Sequence, residues 1–198
     1  MTINPRKKVT PAVFDSTDIP LMARVHGLDN TPVQQADLSA LTFIAYIKGA
    51  VPGSPTSLTI ANVIFDTLRV PSDDLAWTED GRGGTDLIIH ASDSTKVRPA
   101  SGGVVAGDVG LPIQITAGTG FTVGVYRVNA QDGTYWTLSS VAGTVGSTGG
   151  TYRLGGYNFK HELPASSIPA EGVYYVDYEA TASGKKVAWG FEVNVIGR

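Results

Sequence analysis

The stretch Asp108–Gly156, DVGLPIQITAGTGFTVGVYRVNAQDGTYWTLSSVAGTVGSTGGTYRLGG, decides the fold class. Ile113 and Ile115, then Val123, Val125 and Val128, then Trp136 and Leu138 stand at strand spacing, with Gly, Thr, Asp and Asn between them. Apolar alternation punctuated by turn-forming residues predicts short strands joined by tight corners. A helix is excluded, because each interior glycine costs about 1 kcal/mol relative to alanine while positive-φ turns accept glycine freely. Gly118, Gly120 and Gly124 fall between strands with no helix behind them, so they read as turn glycines and not as a phosphate-binding loop.

Outward from this stretch the composition changes. The segment from Gly81 to Gly156 holds 17 of the 24 glycines but only Pro99 and Pro112 of the 11 prolines, so it obeys different local rules from its flanks. On the N-terminal side, LMARVHG reads as a strand, and Ser39–Gly49 sets Leu41, Phe43, Ala45 and Ile47 on one face against Thr42, Ile44, Tyr46 and Lys48. LTIANVIFDTL predicts a strand centred on Val63–Phe65, with a helix as the competing reading. On the C-terminal side, GVYYVDYEAT alternates Val173, Tyr175, Asp177 and Glu179 against Tyr174, Val176, Tyr178 and Ala180. The final strand stacks Val187, Trp189, Phe191, Val193 and Val195 on one face.

The flanks therefore supply roughly six or seven strands in roughly 120 residues, the size of an immunoglobulin-like sandwich. The expected fold is all-β, an immunoglobulin-like β-sandwich interrupted by a small Gly-rich β domain. Its expected organisation is an N-terminal arm over 1–19, a discontinuous sandwich over 20–80 plus 156–198, and an inserted domain over 81–155. Phe43, Phe65, Trp189 and Phe191 are expected to share the sandwich interior.

Composition narrows the function. Without cysteine there is no disulfide framework, zinc-thiolate site or cysteine nucleophile. With 15 Lys and Arg against 18 Asp and Glu there is no long-range pull toward nucleic acid or an anionic membrane. No apolar run follows the N-terminal basic cluster as in a secretory signal, and none is long enough to span a bilayer, so a soluble protein made in a cytoplasm is expected.

His26, His90 and His161 are expected on three separate strands without a second ligand at metal spacing, and no GxSxG elbow is present. Asp73, Asp74, Glu79, Asp80 and Asp86 match no calcium-loop spacing and read as solvated loop acids. No catalytic residue, metal or cofactor is expected. Candidate contact residues are the basic cluster Arg6, Lys7 and Lys8, a frayed end or an arm for an acidic neighbour, and the aromatics Tyr126, Tyr135, Trp136 and Tyr152. These aromatics suit a core, a subunit interface or a sugar platform.

Several segments carry a resemblance. PLMARVHGLDNTPVQQADLSALTFIAYI, VIFDTL followed by WTED, GYNFKHELPASSIP and YYVDYEATASGKKVAWGFEVNV resemble the amino-terminal domain of baseplate upper proteins of tailed bacteriophages. In such domains the Trp-Thr-x-Asp segment runs within a few residues into Gly-Tyr-Asn-Phe, so residues 81–155 depart from the pattern. DVGLPIQITAGTGFTVGVYRV and AGTVGSTGGTYRLGG are similar to a Gly/Thr-rich β segment of phage structural proteins. The resemblance implies a non-enzymatic virion protein, either a tail or baseplate adaptor or a head decoration protein. Its partners would be capsid or tail subunits and further copies of itself, with no nucleic acid and no membrane. A host-surface carbohydrate-binding module is the alternative.

Overall fold

The computed structural model describes residues 6–14, 18–27, 31–72, 81–182 and 184–197. In chain order the strands are β1 Lys7–Phe14, β2 Ile19–Ala23, β3 Leu38–Ile47, β4 Thr56–Ser57, β5 Ile64–Arg69, β6 Gly81–Ile89 and β7 Lys96–Pro99. They continue as β8 Pro112–Ala117, β9 Gly124–Gln131, β10 Trp136–Leu138, β11 Thr148–Gly155, β12 Tyr157–Leu163, β13 Gly172–Ala182 and β14 Lys185–Ile196. The strand expected around Val63–Phe65 begins at Ile64, and the competing helix is the single turn α1, Ile60–Val63.

The chain divides into two compact units, Met1–Gly27 with Val33–Asp66 and Phe159–Arg198, and Leu28–Pro32 with Thr67–Asn158. The first contains a five-stranded sheet in the order β1-β14-β13-β3-β4. The hairpin β13–β14 runs in unbroken register from Gly172 opposite Val195 to Ala182 opposite Lys185. β1 joins its edge parallel to β14, with Lys7 opposite Phe191. A three-stranded sheet has the order β2-β12-β5.

Buried residues of both sheets, among them Leu21, Phe43, Ile64, Phe159, Val176, Tyr178 and Phe191, form one apolar cluster, and Trp189 packs against it. The period-two pattern places these side chains inward because a strand turns successive residues to opposite faces. Phe65 is half-buried and lies outside that cluster.

In the second unit β6 to β11 close into a barrel in the order β10-β7-β6-β11-β8-β9. Leu87, Ile89, Val97, Ile113, Ile115, Val128, Trp136 and Leu154 fill it, each fully buried. β11 shifts register against β6 twice, between Thr148 and Gly150 and between Gly150 and Tyr152. Such bulges bend and twist a strand as closure requires.

The expected immunoglobulin-like sandwich is thus corrected to a closed six-stranded barrel with separate open sheets of five and three strands. The physical reason lies in what periodicity encodes. Alternation identifies a strand and its buried face, but edge-to-edge pairing joins residues far apart in sequence. β10, three residues long, closes the barrel by pairing with both β7 and β9, a partnership that no local pattern carries. Residues 7–14, read as a frayed or docking arm, are a sheet strand.

Candidate outer-face contact site

On β13 the inward residues Tyr174, Val176, Tyr178 and Ala180 are buried, which turns Tyr175, Asp177 and Glu179 to the opposite face of the five-stranded sheet. Opposite them on β3 stand Tyr46, Ile44 and Thr42. Arg6 reaches this face from the residue preceding β1. Its Nε donates to Asp177 Oδ1 at 2.6 Å and its Nη2 to Oδ2 at 2.7 Å. The Tyr46 hydroxyl donates to the same Oδ2 at 2.8 Å and accepts from Arg6 Nη2 at 3.1 Å.

The guanidinium also lies over the Tyr175 ring, 4.0 Å from its centroid, and Tyr46 meets Tyr175 edge-on at 5.8 Å. The two charged side chains are only 16% and 13% exposed, so this bidentate pair is shielded from the water that weakens surface ion pairs. Burial first, and then the bond to Asp177, push the Tyr46 phenol above its ordinary pKa, so it stays a donor at neutral pH.

Arg6 can reach across β14 because Gly190 lies opposite Asp177 there. A Cβ at Gly190 would sit 2.6 Å from Asp177 Oδ1, 3.2 Å from the Val176 carbonyl oxygen and 3.4 Å from Arg6 Cγ. Gly190→Ala is therefore expected to displace the carboxylate and lower the stability of this unit by about 1–2 kcal/mol. In the Arg6→Ala background the same change is expected to cost less, because the pair it disrupts is already gone. A urea-denaturation double-mutant cycle reads this directly, and strict additivity would show that Gly190 does not act through Arg6 and Asp177.

Beside this cluster a shallow groove of about 260 Å³ is lined by Ile44, Tyr46, Pro52, Pro55, Asp177 and Glu179, among others. Its carboxylates are already engaged, Asp177 by three donors and Glu179 by Lys186. Both Asp177 oxygens thus accept from donors of the fold itself.

The residues singled out from the sequence fall in three places. Arg6 joins Asp177, while Lys7 donates from Nζ to the Met22 carbonyl at 3.1 Å. Lys8 pairs through its backbone with Glu192, and its side chain lies outside the described residues. Tyr126, Trp136 and Tyr152 are 7%, 0% and 4% exposed in the barrel core and leave no open ring face for a partner or a sugar.

Tyr135 alone of the four reaches the surface. It meets His90 edge-on at 4.9 Å, with the Arg98 guanidinium 5.5 Å from its centroid. Next to it Asp132 accepts from the Tyr135 and Thr134 amides and from Lys96 Nζ. Those bonds, the Tyr135 amide foremost, lower its pKa to about 2.

Sequence reading missed the polar group that organises the barrel. Asp108 is buried and its Oδ2 accepts from Arg82 Nη2 at 2.6 Å, Trp136 Nε1 at 2.7 Å and the Val105 amide at 2.9 Å. Arg82 donates further to the Gly103 carbonyl and lies over the Trp136 ring at 5.4 Å. A lone acid opening a glycine-rich turn gives no sequence signal of burial.

Of the histidines only His161 lies within a strand; His26 forms an isolated bridge and His90 follows the end of β6. The ring of His161 is buried and shares a 2.7 Å hydrogen bond between Nδ1 and the Tyr178 hydroxyl. Burial lowers its pKa below the ordinary 6.5, against a smaller upward push from Glu162. The unfolded chain then binds this proton more readily than the folded one. The contribution is complete above about pH 6.5 and is lost as pH falls toward the lower folded value. Amide hydrogen exchange of β13 is expected to show opening that grows easier from pH 7 to pH 5, after correction for intrinsic exchange, with a flatter profile in His161→Gln. Equal profiles would remove His161 as the cause.

Among the described residues no three His, Asp or Glu side chains gather in a metal-holding group. Asp86 accepts from the Ser101 amide at 2.9 Å, which lowers its pKa and fixes the turn after β7. Asp73, Asp74, Glu79 and Asp80 lie outside the described residues. Compared with models of known families, with curated proteins and with solved structures, the chain matches none.

Proposed function

We propose that this protein is a non-enzymatic structural component of a tailed-bacteriophage particle, acting through contacts with neighbouring subunits. The resemblance of its flanking segments to baseplate upper proteins motivates the particle. The observation that carries the contact reading is the end of the barrel where β8 runs into β9, which exposes Val123, Val141 and Val145 on uncharged loops. Two shielded acids are, by contrast, engaged within the fold, Asp177 with Arg6 and Tyr46, and Asp108 with Arg82 and Trp136.

Both a tail or baseplate adaptor and a head decoration protein fit this reading. Immunogold electron microscopy of purified particles with antibody to the protein tests it. Label at a fixed place on the particle is expected, at the tail tip for an adaptor or over the head for a decoration protein. Particles that never label while the free protein is abundant in the lysate would overturn the proposal.

A further inference from the structure

We infer that the uncharged loop end of the barrel is the surface through which this chain binds a second copy of itself. Val109–Tyr126 and Gly133–Tyr152, 18 and 20 residues long, contain no Lys, Arg, Asp, Glu or His, although charged residues make up 17% of the chain. These stretches meet at one place. β8 ends at Ala117, β9 begins at Gly124 and β11 begins at Thr148, and the loops before β9 and β11 are joined by the bridge between Phe121 and Gly143. There Val123, Val141 and Val145 are 64%, 53% and 45% exposed.

The loops are held firmly by the barrel. The Thr122 amide donates to the Ala142 carbonyl at 2.8 Å and the Thr144 amide to the Gly120 carbonyl at 2.7 Å. The Ala142 amide bonds Ser94, the Gly146 amide bonds His90, and Phe121 packs on the barrel core. A surface already fixed in shape loses little conformational freedom on docking. The segment to which these loops are bonded carries ionisable side chains at His90 and Asp93, whereas the loops themselves combine the valines with Gly, Ser and Thr.

Charge complementarity selects the partner. In a symmetric contact a patch meets its own copy, so any net charge at its centre repels itself. An uncharged patch bearing three valines is self-complementary without further design, whereas a charged partner would bury its ions against loops that offer no counter-charge.

This inference rests on the contact reading above, and the two fail separately. Sedimentation equilibrium of the purified chain from about 1 to 100 μM is expected to give the mass of a dimer or a larger assembly of the 20.8 kDa chain. Val123→Asp with Val141→Asp is expected to weaken association by about a hundredfold or more, with unchanged circular dichroism and melting temperature. Val123→Thr with Val141→Thr, which trims hydrophobicity without adding charge, is expected to weaken association less, and it decides the question if the Asp variant melts early.

A wild type that is monomeric throughout, or a Thr or well-folded Asp variant that associates as the wild type does, overturns the inference. A monomeric protein found in particles refutes only this self-contact. A self-associating protein absent from particles refutes only the particle reading.

Discussion

Replacing Asp108 with alanine is expected to lower the stability of the barrel by about 3 kcal/mol. Its carboxylate side chain is 2% exposed and is the acceptor for the indole N–H of Trp136, itself fully buried. Removal leaves that donor without a partner where water cannot replace it. It also removes the charge that faces Arg82, although Arg82 at 37% exposure recovers some solvation, which holds the cost to the lower end of the range for a broken buried pair. The Val105 amide, which Asp108 ties to the short turn before β8, is released as well.

Asp108→Asn keeps an oxygen for Trp136 and is expected to cost about half as much. Hydrogen exchange across β6 to β11 measures both variants. A change below about 0.5 kcal/mol in Asp108→Ala would show that the network does not hold the barrel.

Gly156→Ala is expected to be more damaging still, with a loss of about 4 kcal/mol or no soluble protein. Gly156 sits between β11 and β12 at φ +78, in the left-handed region, and a Cβ there would overlap the Arg69 carbonyl oxygen and press to 3.2 Å from Val70 Cγ1. The obstacle is backbone, so no rotamer change relieves it, and the strain of a positive φ is added to the overlap. A melting temperature within a few degrees of wild type, corresponding to about 1 kcal/mol for a chain of this size, would contradict that geometry.

The strands and their faces were largely legible because a half-buried strand writes its own period. Leu41 and Phe43 on β3, and Phe191, Val193 and Val195 on β14, are buried as alternation predicts. Partnership was not legible. Arg6 looked like part of a loose basic arm, since its acid lies 171 residues away and is reached only over Gly190, whose missing side chain carries no apparent message in sequence. Trp136 and Tyr152 looked like contact residues because Tyr and Trp favour interfaces and cores alike. Only the closure of six strands, one of them three residues long, turns both rings inward, 5.8 Å apart. Asp108 was passed over for the complementary reason, since acids in turns are normally solvated.

We propose that this chain works by being built into a particle and not by turning over a substrate. Quantitative mass spectrometry of gradient-purified particles tests it most directly. The account predicts the protein at a constant ratio to the other structural proteins across independent preparations, in a few tens of copies for a tail adaptor or hundreds for a head decoration. A protein that stays at the top of the gradient, absent from every particle fraction, would contradict it.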